Sequence, residues 1–246
     1  GINGFKRDLT FDEILSQIYY IQRELVSKDE KVRNIVFMGM GEPLLNLDNV
    51  IESLKILISE EGLNLSKRRI TISTSGIIPQ IERLIAEDMT VELALSLHAG
   101  SNEIRKNIIP INVKYPIEDL MKVLWKYQKT SGRRITFEYI LINNLNDTIE
   151  EAKKLKELVK DFDCIINIIP YNPVEGLNHE RPSRNRIFKF YNYLKDDLKL
   201  NVTLRGEKGT DIDGACGQLR QKQKNLKLDV KNGSLEEKII IKNEKN

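Results

Sequence analysis

The sequence predicts an α/β fold built on parallel strands, and three observations predict it. Short apolar runs alternate with longer amphipathic segments six times along 246 residues. The runs are rich in Ile, Val, Leu and Phe and read as apolar on both faces, as strands buried under helices do. Several of them end in small polar residues, and in a barrel of parallel strands such ends share one mouth. Alternation of this kind implies right-handed crossovers between parallel neighbours. A barrel and an open doubly wound sheet both satisfy it.

Each element has its own signal. Thr10-Phe11-Asp12-Glu13 is a capping box that opens an amphipathic helix running to about Ser27. Residues 34–38 form a short strand, and a helix follows at about 48–59. Residues 69–73 read as a strand, 79–87 as a helix and 91–97 as a strand. Pro116 suits the first position of a helix that ends at Gly132, a residue fitted to the left-handed C-terminal turn. Residues 135–142 are a strand. Asp147 or Thr148 caps a helix reaching Phe162. Residues 164–169 are a strand, Ser183 caps a helix to about Leu198, and residues 201–205 are the last strand. The chain divides into a barrel domain at 1–219 and a basic polar tail at 220–246, with Lys238-Ile239-Ile240-Ile241-Lys242 as a possible edge strand.

Composition sets bounds. The chain is long enough for one large core, and no apolar run approaches the length that spans a bilayer. A cytoplasmic, membrane-free protein is the expectation. The net charge of +3 is uneven: residues 217–246 carry +4 and the remainder −1. Arg68-Arg69, Arg133-Arg134 and the group Arg181, Arg184 and Arg186 could touch phosphates or form a solvated face. Cys164 and Cys216 are the two cysteines. They lie far apart and without Cys-x-x-Cys spacing, so no metal or cluster site is evident within the chain.

The strand ends carry the chemistry. Ile35-Val36-Phe37 runs into Met38-Gly39-Met40-Gly41-Glu42-Pro43, where glycines allow close backbone approach and Glu42 could hold a cationic amine. The bland alternative is a tight turn without a ligand. Later strands end in Ser73-Thr74-Ser75-Gly76, Ser96-Leu97-His98 and Pro170-Tyr171-Asn172-Pro173. One such group is usually a turn or cap, whereas several on one rim suggest a polar cofactor site. A histidine at a strand end is more often structural than catalytic, and His98 gains weight only from its place on that rim. Cys164 sits in an apolar strand. Cys216 sits in a glycine-flanked polar loop with Arg205 and Lys208 upstream, where a thiolate is favoured.

Gly39-Met40-Gly41-Glu42-Pro43-Leu44-Leu45-Asn46, Leu65-Ser66-Lys67-Arg68-Arg69, Ser73-Thr74-Ser75-Gly76, Ser96-Leu97-His98-Ala99, Pro110-Ile111-Asn112 and Asp213-Gly214-Ala215-Cys216-Gly217-Gln218-Leu219 together resemble the radical-SAM RNA methyltransferases of the RlmN type, which methylate C2 of adenine in 23S rRNA and tRNA. The likeness runs from Gly1 to about Leu219 with the motifs in order. Pro43 after Glu42 favours this type over the related adenine-C8 enzymes, which typically have Ala there.

The resemblance implies a (β/α) radical-SAM barrel of the TIM-like kind. It implies S-adenosylmethionine held by Gly41, Glu42, Ser73, Ser96, Leu97, His98 and Asn172, with Cys216 as the methyl carrier. Adenine C2 has no lone pair to attack a sulfonium methyl group. The family therefore moves a methyl group to the cysteine, activates it with a 5′-deoxyadenosyl radical, and releases the product with a second cysteine. The implied partners are 23S rRNA, tRNA and a reductant such as flavodoxin or ferredoxin, for a monomeric protein. The family's Cys-x-x-x-Cys-x-x-Cys motif, which holds a [4Fe–4S] cluster, its first barrel strand and its N-terminal accessory domain would lie upstream of Gly1. The expectation is therefore a C-terminal portion that lacks the cluster ligands and is inactive alone. Two other readings stand beside it: a cluster-less RNA- or nucleoside-binding paralogue, and an unrelated parallel-barrel enzyme such as a phosphate-binding isomerase.

Overall fold

A computed structural model describes residues 5–39, 41–174 and 176–206. Thr10 precedes the first helix, α1 (Phe11–Val26), and its N–H donates to Glu13 Oε2 at 3.0 Å, as the capping box requires. The elements then follow in the order β1 (Ile35–Phe37), α2 (Leu47–Ile58), β2 (Ile70–Thr74), α3 (Ile78–Ala86), β3 (Glu92–Ser96), α4 (Asn102–Ile108), α5 (Ile117–Ser131), β4 (Ile135–Leu141), α6 (Ile149–Val159), β5 (Cys164–Pro170), α7 (Arg184–Asn192) and β6 (Val202–Leu204). Thr148 and Ser183 cap α6 and α7 through their hydroxyls, and Gly132 closes α5 in the left-handed conformation at φ 62°. Pro116 stands one position earlier than expected, as the N-cap of α5.

Each strand pairs in parallel with the next, and the sheet order is β1-β2-β3-β4-β5-β6. A doubly wound sheet reverses its order at a switch point. This one never does, so the expected barrel wall is the architecture found. Right-handed crossovers in one direction put every helix on the same side. The core forms there, with Ile70 and Ile72, Leu93 and Leu95, Phe137, Tyr139 and Leu141, and Ile166 and Ile168 against α2, α3, α5, α6 and α7. Burying side chains of this size is worth about 1.5–3 kcal/mol each.

Strand alternation then sends Thr71, Ser73, Ser96, Thr136, Glu138, Asn167 and Thr203 to the helix-free face. The reading of strands apolar on both faces is corrected here, because the inner wall is largely polar. A second difference is α4, followed by a 3-10 turn at Pro110–Val113, in the stretch between β3 and α5. A third is that α7 ends in a π-helical turn at Tyr193–Asp197 rather than running on as one helix. The domain boundary at 219, the tail and its edge strand lie outside the described residues.

Candidate cofactor site at the strand ends

The turn after β1 is built for close approach. Gly39 and Gly41 have φ 151° and 104°, and a Cβ at either would meet nothing within 4 Å. Open space beside a glycine backbone is what an incoming ligand needs. Glu42 follows and folds inward. Its Oε1 accepts from Thr74 Oγ1 at 2.7 Å and from the Leu44 N–H at 3.1 Å. Its Oε2 accepts from the Ser75 N–H and from Ser75 Oγ, both at 2.7 Å. A carboxylate offers about four acceptor sites, so the protein itself fills them. Glu42 braces the β1 turn against the end of β2, and Gly39 and Gly41 leave open space beside their backbone.

The end of β3 is braced with equal care. Arg105 on α4 is 0% exposed. Its guanidinium donates to the carbonyls of Leu97 (3.1 Å), Ser96 (3.1 Å) and Ser75 (2.6 Å), and to Asn112 Oδ1 (3.0 Å). All four acceptors are neutral, and burial lowers its pKa from 12.5 to about 10. Leu97 is fully buried and has both backbone groups engaged, its N–H donating to the Glu138 carbonyl at 3.0 Å.

His98 has φ 60°, an uncommon conformation for a residue with a side chain, and is 6% exposed. Its Nδ1 accepts from the Ile140 N–H at 3.1 Å and lies 2.9 Å from the Glu138 carbonyl. That carbonyl already accepts from the Leu97 and His98 N–H groups. Nδ1 thus sits between one backbone N–H and one backbone carbonyl, and the ring tautomer decides which of the two it bonds. Burial pulls the pKa down to about 4, against the opposing effect of the carbonyl beside it. In either tautomer Nδ1 ties the end of β3 to β4.

Ser73 and Ser96 lie on the inner face near each other, Ser73 opposite Ala94 and Ser96 opposite Glu138. Asn172 is on the same rim just past β5, and Arg181 Nη1 donates to its Oδ1 at 2.9 Å. Beside it, Tyr171 is 9% exposed and its buried hydroxyl has no hydrogen-bond partner among the described residues. A buried hydroxyl is costly to leave without a partner. Cys216 lies outside the described residues. The arginines considered for phosphates are largely used within the chain. Arg186 clamps Asp147 with two bonds of 2.6 and 2.7 Å, Arg134 pairs with Asp163, and Arg133 donates to the Thr90 carbonyl.

Four residues were missed by the sequence reading. Arg105 and Glu138 are two. Asn146 is fully buried and donates to the carbonyls of His98 (2.8 Å) and Ile140 (2.7 Å). Glu151 accepts from the Gly100 N–H at 3.0 Å and so ties the loop after β3 to α6. A carboxylate in the midst of Phe137-Glu138-Tyr139 was the one available signal. Among the described residues, no three His, Cys, Asp or Glu side chains converge as metal ligands, so a cluster finds no ligand set there.

A sequential parallel wall with a glycine turn and a polar strand-end rim fits one family. The chain belongs to the radical SAM superfamily, which it matches over residues 3–159. It is 47% identical over 220 residues to a probable dual-specificity RNA methyltransferase RlmN of Dictyoglomus turgidum, and 44% identical over 225 residues to a protein of the same description from Staphylococcus haemolyticus. These matches cover 89% and 92% of this chain but 63% and 62% of those proteins, so the chain spans a little under two thirds of their length. The crystal structure of a radical SAM methyltransferase from Sphaerobacter thermophilus superposes with a TM-score of 0.83 at 40% identity, over 89% of this chain and 64% of that one. Streptococcus suis SuiB bound to S-adenosylmethionine shares the fold, with a TM-score of 0.56 at 13% identity over 87% of this chain and 47% of that one.

Proposed function

We propose that this chain is the catalytic-barrel portion of a radical S-adenosylmethionine methyltransferase that methylates C2 of adenine in 23S rRNA and tRNA. The observation that carries the reading is the 43–48% identity to RlmN-type RNA methyltransferases over most of the chain. It is joined to a rim whose open glycine turn and serine hydroxyls suit a polar nucleoside cofactor. Membership of the superfamily implies S-adenosylmethionine and an iron–sulfur cluster. When bound, that cofactor supplies the methyl group and, with the cluster, the radical that activates it.

The residues of this chain then have distinct tasks. The Gly39–Gly41 backbone lets the amino-acid end approach. Ser73 and Ser96 offer donors to the nucleoside end, His98 presents its Nε2 there, and Asn172 closes the site from β5. Glu42 and Leu97 hold the rim in shape, so their part in binding is through the backbone they fix. Cys216 carries the methyl group on its sulfur. The cluster ligands would come from sequence beyond this chain's cysteines. A reductant such as flavodoxin or ferredoxin, a monomeric state and a cytoplasmic location complete the proposal. No helix among the described residues is long and apolar enough to cross a membrane.

The test is a chimera in which the Dictyoglomus relative's sequence upstream of its match precedes Gly1. With cluster, reductant and S-adenosylmethionine, peptide mass spectrometry should find a methyl group on the Cys216 peptide, and nuclease digestion should release 2-methyladenosine from 23S rRNA fragments. Cys216→Ala should abolish both. Persistence of 2-methyladenosine in that variant would remove the methyl-carrier role.

A further inference from the structure

Among the described α-helices, α7 is the one without an acidic residue in its sequence. Each of the others carries at least one Asp or Glu. α2, α5 and α6 also tie lysines to carboxylates three residues away on their own surface, as Lys55 to Glu52, Lys122 to Asp119 and Lys160 to Glu157 shows. α7 buries Ile187 and Phe190, the latter stacked on Tyr139 of the sheet. The 3.6-residue period then turns Arg184, Asn185, Phe188, Lys189 and Asn192 outward, and all five are exposed. Arg186 is spent on Asp147. Arg184 and Lys189 have no ion pair among the described residues.

The face combines two kinds of recognition. Its unopposed cations call for an anion. Phe188 is 41% exposed, and the Arg184 guanidinium lies over its ring, 5.7 Å from the centroid. One exposed ring is ordinary on a protein surface, but a ring under a guanidinium is a flat cationic platform of the kind on which bases stack. Single-stranded RNA supplies both partners at once, phosphates and unpaired bases. Arg184 and Lys189 stand five residues apart, about 7.5 Å along the helix, with Phe188 between them. The amides of Asn185 and Asn192 add donors and acceptors for base edges and 2′-hydroxyls. A duplex offers the phosphates but keeps its bases stacked on one another. The place is also suitable. The first turn of α7 is fixed at the strand-end rim, because Arg186 holds Asp147 beyond β4 and Arg181 holds Asn172 beyond β5. An RNA strand leaving the mouth meets Arg184 first.

We infer that the outer face of α7 is a docking surface for a single-stranded segment of RNA, with a base stacked on Phe188 and flanking phosphates on Arg184 and Lys189. The inference rests on the RNA methyltransferase reading above, and its test separates the two. The 246-residue chain is titrated into a fluorescein-labelled single-stranded RNA of about 12 nucleotides, within the usual span of one binding groove. Anisotropy is read at several salt concentrations, and a hairpin duplex of the same length is the comparison. The variants are Phe188→Ala, Phe188→Trp and the pair Arg184→Gln with Lys189→Gln. Lys122→Gln with Lys126→Gln on the exposed side of α5 makes the same change of charge elsewhere. Circular dichroism confirms that each variant is folded.

Phe188→Ala should weaken binding of the single strand about fivefold or more and leave the salt slope unchanged, as the loss of one stacked base does. Phe188→Trp should restore it. The α7 double variant should flatten the dependence of log affinity on log salt by about 1.4, from roughly 0.7 per cation on a single strand. The α5 pair should leave both quantities near wild type. Equal losses from the α5 and α7 pairs would overturn the surface, since net charge alone would then explain the binding. So would duplex binding as tight as the single strand together with indifference to Phe188→Ala. Displacement of the RNA by polyglutamate at equal charge, again with no effect of Phe188→Ala, would assign the face to an acidic protein instead. Wild type that binds neither RNA at low salt would overturn the docking surface while leaving methylation to be judged by the chimera. A chimera that makes no 2-methyladenosine, beside α7 variants that behave as expected, would remove the methylation reading and leave the surface standing.

Discussion

Replacing Arg105 by Met tests whether the rim is held by one buried cation. Arg105 is wholly buried and donates four hydrogen bonds, three of them to the carbonyls that end β2 and β3. Hydrogen bonds from a charged donor contribute about 1.5–3 kcal/mol each, so their loss costs roughly 8 kcal/mol. Removing the guanidinium also removes its desolvation. The fall of its pKa from 12.5 to about 10 corresponds to roughly 3 kcal/mol. Arg105→Met should therefore destabilise the chain by about 5 kcal/mol, similar to the loss when one partner of a buried charge network is removed. Arg105→Lys keeps a charge, but its single nitrogen cannot span four acceptors. It should lose about 2–3 kcal/mol, which keeps the comparison within the stability of a typical domain. Urea titrations followed by far-UV circular dichroism give both values from the midpoints and slopes. If Arg105→Met unfolds within about 1 kcal/mol of wild type, the rim does not depend on this residue and the argument fails.

Two further outcomes follow from the same geometry. Because His98 has a folded-state pKa near 4, below its ordinary 6.5, the unfolded chain takes up the proton first as pH falls. Its contribution is intact above pH 6.5 and is lost toward pH 4, by roughly 3 kcal/mol. Stability curves of wild type and His98→Gln should converge over that window, and parallel curves would contradict the buried neutral ring. Gly100→Ala would set its Cβ 2.7 Å from Lys154 Cβ and 2.9 Å from the Glu151 carbonyl. Overpacking of this kind costs about 1–3 kcal/mol, and a thermal midpoint unchanged from wild type would show that α6 can move aside freely.

Local signals in the sequence carried the order of elements. Capping hydroxyls at Thr148 and Ser183, Gly132 after α5 and the apolar runs of β2 to β5 each act within a few residues, so a one-dimensional reading captures them. α4 was missed because Asn102-Glu103-Ile104-Arg105 has the polar look of a loop, and it is Arg105, reaching three strand-end carbonyls, that fastens it as a helix. The polar inner wall was missed for a related reason. Ile70-Thr71-Ile72-Ser73 alternates, but the β-branched threonines look like strand formers rather than wall lining. At the rim, the sequence placed Glu42, Ser73, Ser96 and His98 together but could not divide ligand contacts from braces. That division depends on which lone pairs the fold has already used. Glu42 has donors from a strand 32 residues away, and His98 finds its partner 42 residues on.

The two rim carboxylates show how that division supports a cofactor site. Glu42 is saturated by neutral donors and fixes the β1 turn, while Glu138 is buried and accepts one hydrogen bond among the described residues. The same end of the sheet holds a histidine at φ 60° and a buried tyrosine hydroxyl with no hydrogen-bond partner among the described residues. Each of these costs stability locally. The helix-packed face has the opposite character, with an apolar core running from α2 to β6. A fold that concentrates its violations of local preference at one end of its strands keeps them for something other than folding. Arg105, Asn146 and Glu151 brace that end through their hydrogen bonds. Binding then need not pay to order the loops after β2 and β3, and its free energy can go into selecting the ligand.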